Sequence, residues 1–323
     1  MQDVEKFIQK LVKSKSQMLL PSYSGIPTFM RTPFYKDPAE LDIALIGIPF
    51  DGGVTGRPGA RLGPREIRNQ SSLIGFQNPQ SKIIPYQKCR IGDLGDVPIS
   101  RPHYLEDTIK EIETFYKNIV KENVIPITAG GDHSISYPIL KALGAKQPLA
   151  LIHFDAHCDT VPELYSCKVQ HGSPFYNAVE AGVVDPKKTI QIGIRGSCAY
   201  LWDYSYKSGM RVIPIEEFRE MGLKAVIAQA RNIVGDTPTY ISFDIDAVDP
   251  AFAPGTGTPE VGGLTSFEAQ QLIRGLRGLN LVGADIVEVS PPFDPGYCTA
   301  LLGATLMFEM LCIISDSVTT KGT

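Results

Sequence analysis

With 323 residues, 43% hydrophobic and 20% charged, the chain can bury a large core, as one sizeable domain or two small ones. A formal net charge of −4 and the lack of any Lys/Arg block exclude an electrostatic footprint for a nucleic-acid backbone or an anionic membrane surface, so neither is an expected partner. The six cysteines (Cys89, Cys158, Cys167, Cys198, Cys298, Cys312) contain no CxxC pair, so neither a zinc knuckle nor a disulfide framework is signalled.

The first residues, MQDVEKFIQKLVKSKSQMLLPSY, form an amphipathic stretch whose apolar runs are too short for a signal sequence or a spanning helix. Asp3 and Glu5, with no early Arg, argue against a transit peptide, and a cytoplasmic location is the expectation. Then come an apolar run at 41–49, a helical spacing at 104–120, a run at 124–129, a helix at 134–143 and a run at 149–154. Further runs follow at 189–194, 212–214, 239–243 and 281–289, with helical spacings at 223–233 and 266–276. This alternation is that of βαβ units, whose crossovers build a largely parallel sheet with helices on both faces. No Pro/Ser tract, repeat or low-complexity block interrupts it, so one α/β domain over 1–323 is expected. Residues 1–40 would be an extension packed on that domain or on a neighbouring subunit.

Three short acidic motifs directly follow apolar runs: Gly130-Gly131-Asp132-His133-Ser134 after VIPITA, Asp155-Ala156-His157-Cys158-Asp159 after LALIHF, and Asp244-Ile245-Asp246 after TYISF. Ligands bind parallel sheets outside the carboxyl ends of the strands, where these motifs fall. If the backbone stays extended, alternate side chains share a face, so Asp155, His157 and Asp159 can converge, as can Asp244 and Asp246. A single Asp-x-Asp after a strand more often caps a turn. Three clusters at three strand ends would bury four carboxylates together, and their mutual repulsion calls for cations. Four Asp, two imidazoles and no thiolate suit Mn²⁺ better than structural zinc, with Ni²⁺, Co²⁺ or Fe²⁺ as substitutes. Two such ions roughly 3.5 Å apart activate water at neutral pH.

The segments GGDHS, FDAHCDT, SFDIDAVDPAFAPGTGTPEVGGL and VEVSPPFD together resemble the ureohydrolases, the family of arginase, agmatinase and the guanidino-acid hydrolases, from about Leu41 to Glu309. The resemblance implies a three-layer α/β/α arginase-like fold with a central, mostly parallel sheet of about eight strands, two Mn²⁺ ions, and a trimeric or hexameric assembly. By motif, one ion would take His133, Asp155, Asp159 and Asp244, and the other Asp155, His157, Asp244 and Asp246. Glu288 matches the family position that receives the guanidinium, and a planar cation pairs with a carboxylate through two hydrogen bonds. His171, in QHGSPF, matches the family's proton-carrying loop His, with Asp159 as a second route for that proton.

The implied reaction is hydrolysis of a small guanidino compound to urea and an amine. Segments 25–31 and 56–68 lie nearest the guanidino-acid type, with 4-guanidinobutyrate or 3-guanidinopropionate as substrate. Agmatine, free guanidine and a weakly active partner subunit of the same fold are the alternatives. The loop 161–170 is expected to read the substrate's tail, Lys168 serving a carboxylate or Glu163 an ammonium. Gly255-Thr256-Gly257 is expected to shape the entrance. His153 and Cys158 alternate away from the ligands and read as buried neighbours of the site, and His103 carries no signal.

Overall fold

Strands form where apolar runs can be covered on both faces. In the computed structural model, which describes residues 2–14, 16–196 and 198–321 and leaves Met1, Lys15, Ser197, Gly322 and Thr323 outside the description, eight such strands make one sheet. They are β1 (Ile43–Gly47), β2 (Ile91–Asp96), β3 (Ile125–Ala129), β4 (Leu149–Phe154), β5 (Val184–Ile194), β6 (Arg211–Pro214), β7 (Thr239–Asp244) and β8 (Leu281–Val287). Every pairing is parallel, in the order β2-β1-β3-β8-β7-β4-β5-β6. Alternation splits each strand between two cores: Ile43 and Leu45 of β1 face one, Ala44 and Ile46 the other.

The helices, in chain order, are α1 (Gln2–Lys13), α2 (Gly63–Ser71), α3 (Leu105–Lys121), α4 (Ser136–Leu143), α5 (Pro174–Glu180), α6 (Asp203–Ser208), α7 (Ile215–Met221), α8 (Leu223–Val234), α9 (Ser266–Gly275) and α10 (Cys298–Lys321). In α3 the buried positions Ile109, Ile112, Tyr116 and Ile119 recur at helical spacing and make one apolar stripe. In α9 Thr265 and Glu268 close a reciprocal capping box that fixes where the helix begins. The expected α/β/α architecture is therefore the observed one.

Several elements lie outside the sequence expectation. β2 (IGDLGD) reads as polar because its buried Asp93 is satisfied by Arg68 of α2 and by the Phe29 N–H rather than by water. α2 contains Gly63 and Pro64, but proline is tolerated in a first helical turn. α10 lacks a polar stripe because it is surrounded, packing on α2, α9 and β8. It is, among the described residues, the one helix long and apolar enough to cross a membrane, and its apolar window is 83% buried inside the fold. The N-terminal helix α1 sets Phe7 and Leu11 against Phe76, Ile84 and Tyr86 of the same chain.

Candidate metal centre

Strand order assembles the site. β3, β8, β7 and β4 are consecutive in the sheet, so their carboxyl ends bring His133, Glu288, Asp244 with Asp246, and Asp155 with His157 and Asp159 to one place. The expected convergence is present, but its geometry differs from alternation along extended backbone. β4 ends at Phe154 and β7 at Asp244, and the motifs turn immediately afterwards. Asp155 Oδ1 accepts from the His157 N–H at 2.6 Å, and Asp244 Oδ1 from the Asp246 N–H at 2.8 Å, capping the short helix 245–247. Each carboxylate thus caps its own turn and still offers its second oxygen to the centre, so capping and ligation coexist.

Asp155 stands between the two imidazoles: Oδ2 lies 3.2 Å from His133 Nδ1 and Oδ1 3.3 Å from His157 Nδ1. His133 Nδ1 also lies 2.9 Å from Asp159 Oδ2 and 3.2 Å from Asp244 Oδ2, yet it is in hydrogen-bonding geometry with none of the three. His157 Nδ1 is 3.2 Å from Asp246 Oδ2.

Buried partners set the tautomers. Ser242 Oγ gives its only proton to Asp285 at 2.7 Å, so at 2.9 Å it accepts from His133 Nε2–H, which leaves Nδ1 as the bare donor atom. Gln191 Nε2 donates to the Cys158 carbonyl and to His153 Nδ1, so His153 Nε2–H donates to Asp155 Oδ2 at 2.8 Å. In this tautomer His153 supports Asp155, and His133, His153 and Asp155 also lie close enough together to share an ion. Cys158 is buried against Ile194, Val212 and Trp202, and burial pushes its thiol well up.

Charge balance bears on metal binding. Burial first, then repulsion from neighbouring carboxylates, raises Asp244 well above the usual range and Asp246 to about 6. Burial opposes protonation of His157, but the charge of Asp246 and hydrogen bonding with Asp155 and Asp246 overcome it and place its pKa well above the ordinary value. Protons are thus drawn into the cluster where cations would serve. An orphaned, buried Nδ1 of His133 lies within 3.2 Å of oxygens of Asp155, Asp159 and Asp244. Two groups close enough to share an ion, His133 with His153 and Asp155, and Asp155 with His157 and Asp246, adjoin at Asp155; such a set fits divalent ions.

Glu288 and Asp159 both adopt left-handed backbone, at φ 62° and 52°, a strained state for a non-glycine residue that persists only where neighbours enforce it. The Glu288 N–H donates to the Gly131 carbonyl at 2.8 Å, and Glu288 Oε1 accepts from the His133 N–H at 3.0 Å. Gly131 is required there, since a Cβ would sit 1.6 Å from the Phe50 carbonyl oxygen. A Cβ on Gly257 would lie 3.1 Å from the Arg57 carbonyl oxygen and 3.7 Å from Glu288 Oε2.

His171 Nδ1 is 3.2 Å from Glu288 Oε1, and its Nε2 is 2.8 Å from Thr55 Oγ1. Burial lowers the His171 pKa, but the hydrogen bond to Glu288 and the charges of Glu288, Asp159 and Asp132 raise it to about 9. The sign follows: the stabilising pair is complete below about pH 6.5 and is lost as pH rises through about 9. Histidine NMR titration of the metal-free protein is expected to find a resonance near pKa 9 that Glu288→Gln moves down; a His171 value near 6.5 in the wild type would break the pairing.

Beside the cluster lies a cavity of about 120 Å³. His157, Asp159, Gln170, His171, Asp244, Thr55 and Thr258 contribute polar groups to its lining, and Val161, Leu164, Leu201 and Trp202 apolar ones. The loop 161–170 contributes to it, but not through the expected side chains: Lys168 and Glu163 are exposed and outside the lining, which among the described residues contains no Lys or Arg. A loop at the rim turns its charged side chains to water, where solvation favours them. Residues missed in the sequence are Thr55, Thr258 and Asp132. Asp132 lies inside GGDHS, and its Oδ2 accepts from the Gly53 N–H at 2.7 Å, while the Gly53 carbonyl accepts from the His171 N–H at 3.0 Å. The Gly-rich run after β1, DGGVTG, was the available signal for Thr55.

Comparison with known proteins agrees with this geometry. A profile described as the arginase family matches residues 41–312. The chain is 54% identical to a guanidinopropionase of Pseudomonas aeruginosa, over 92% of this chain and 94% of that protein. It is 47% identical to a mitochondrial guanidino acid hydrolase of Homo sapiens, over 91% of this chain and 84% of that protein. The crystallised proclavaminate amidino hydrolase of Streptomyces clavuligerus superposes with a TM-score of 0.89 at 38% identity, covering 92% of this chain and all of that one.

Proposed function

The chain belongs to the arginase family of binuclear metal amidinohydrolases, and from that premise we propose that it hydrolyses a guanidino acid, 3-guanidinopropionate or 4-guanidinobutyrate, to urea and an amino acid. Hydrolysis of guanidino compounds is common ground among its relatives; the acidic tail is the finer step, supported by the guanidinopropionase and guanidino acid hydrolase likenesses. The observation that carries the reading is the His171–Glu288 pair: a ring nitrogen, His171 Nδ1, lies 3.2 Å from Oε1 of a buried carboxylate next to the metal-ligand cluster, where a guanidinium N–H would donate.

In this reading His133, Asp155, Asp159 and Asp244 would hold one ion, and Asp155, His157, Asp244 and Asp246 would hold the other. The oxygen-rich set favours Mn²⁺, with Ni²⁺ or Co²⁺ as substitutes. When bound, the ions lower the pKa of water from about 16 toward neutrality and so supply the nucleophile. Glu288 takes the guanidinium N–H groups in place of the His171 Nδ1 contact, which frees Nδ1 to carry a proton. Thr55 keeps the ring in place through Nε2. As the bond from the guanidinium carbon to the alkyl nitrogen breaks, His171 delivers a proton to the departing amine, with Asp159 as the second route for that proton. The trimeric or hexameric assembly and cytoplasmic location belong to the same proposal.

The test is urea release from 3-guanidinopropionate, 4-guanidinobutyrate, agmatine, arginine and guanidine, with Mn²⁺ and with Ni²⁺. The guanidino acids are expected to give the highest kcat/KM. A preference for agmatine, arginine or guanidine would overturn the tail assignment.

A further inference from the structure

The polar hydrogens on the cavity wall are nearly all committed. Thr258 donates to Asp246 Oδ2 at 3.2 Å, Trp202 Nε1 donates to the Gly196 carbonyl at 3.2 Å, and His171 is held between Thr55 and Glu288. Gln170 is the exception. Its side chain is 3% exposed and lines the cavity, and its Oε1 accepts from the Gly172 N–H at 2.6 Å. That bond fixes which end of the amide is oxygen, because a backbone N–H needs an acceptor. Nε2 is then left buried with two protons and no partner. Buried donors are rarely left so, and this one belongs to a residue that lines the ligand cavity, where a small turn of the amide would meet an acceptor on the ligand.

We propose that Gln170 is a specificity-determining residue whose Nε2 donates to the carboxylate at the tail of the substrate. The inference rests on the guanidino-acid reading above and supplies the residue that reading lacks. A carboxylate offers only acceptors and satisfies the orphaned N–H pair. An ammonium tail offers only donors and would leave both sides unpaired, so one amide both accepts the acid and rejects the amine. The described lining contains no Lys or Arg to take the carboxylate at the tail end, and the walls of Val161, Leu164, Leu201 and Trp202 suit the methylenes between guanidinium and tail. Selection by hydrogen-bond complementarity is stronger than selection by an apolar wall, since a mismatched tail strands a buried polar group. The rival role is local: the position of a Cβ on Gly172 lies 3.6 Å from Gln170 Nε2 and 3.8 Å from Asp159 Oδ1, so the amide could instead steady Asp159.

The experiment measures kcat/KM of the metal-loaded wild type, Gln170→Leu and Gln170→Glu on 3-guanidinopropionate, on propylguanidine, which has the same carbon count and no carboxylate, and on agmatine. Metal content and melting temperature are read in parallel. Gln170→Leu is expected to lower the ratio of 3-guanidinopropionate to propylguanidine by about 10- to 100-fold, the effect of one hydrogen bond to a charged group. Gln170→Glu should lower it further and raise the ratio of agmatine to 3-guanidinopropionate. Ratios within about threefold of wild type overturn the inference, and so does an equal loss on all three substrates, which would assign Gln170 to Asp159. Wild-type protein that hydrolyses no guanidino acid overturns the underlying reading and this inference with it; normal wild-type turnover with unmoved ratios overturns the inference alone.

Discussion

Asp246→Ala is expected to reduce bound metal from two ions per chain toward one and to lower urea release by ~1,000-fold or more. Asp246 is 1% exposed, its Oδ2 faces His157 Nδ1, and its Oδ1 accepts from the Ala156 N–H at 3.0 Å. Alanine removes the charge that pairs with His157 in the metal-free protein and that would ligate the second ion, and it strands the Ala156 N–H in the interior. A metal centre supplies several kcal/mol of the barrier reduction, and each ~1.4 kcal/mol is tenfold in rate, which gives the expected magnitude. Metal analysis after dialysis, run beside a urea assay, is the check. Two retained ions with undiminished activity would remove Asp246 from the ligand set.

Glu288→Gln separates substrate anchoring from metal binding. The amide keeps the shape and can still accept from the His133 N–H through its oxygen, so metal content is expected to remain at the wild-type level. The guanidinium loses a charged, bidentate partner and finds an amide that presents donors to a donor. The loss of one buried ionic hydrogen-bond pair amounts to ~3–5 kcal/mol, so kcat/KM should fall by ~100- to 1,000-fold or more. His171 loses the hydrogen bond and the charge that hold its pKa near 9, so the alkaline limb of the kcat/KM profile should move to lower pH in this variant. Metal loss in step with activity would place Glu288 among the ligands, and an unmoved alkaline limb would detach His171 from it.

The Asp/His cluster of His133, Asp155, His157, Asp159, Asp244 and Asp246 was legible because its chemistry is local: acidic and imidazole side chains two residues apart, directly after buried strands, are costly unless a cation joins them. The motif spacing did not reveal how they converge. Extended alternation points Asp155, His157 and Asp159 the same way only on a straight strand, and this chain turns after Phe154, with Asp159 forced to φ 52°. Ser242, Asp285, Gln191 and His153 carry no local pattern at all. They act on the ligands from neighbouring strands through hydrogen bonds that exist only once β4, β5, β7 and β8 lie side by side. β2 and α2 were hidden because their polar residues satisfy one another in the fold, Asp93 with Arg68.

The loop at 161–170 marks the division most clearly. Composition offered Lys168 and Glu163 as readers of the substrate tail, since a charge in a loop is visible in the sequence; the folded chain turns both to water and lines the cavity with Val161, Leu164 and the buried amide of Gln170. The parallel α/β plan, the family and the Asp and His motifs that meet at the strand ends could be read from the sequence, because periodicity and charged motifs are written in neighbouring residues. Tertiary structure alone decided which strands adjoin, which tautomer each imidazole holds and which polar hydrogen is left without a partner, because each of these depends on distances between residues far apart in the chain.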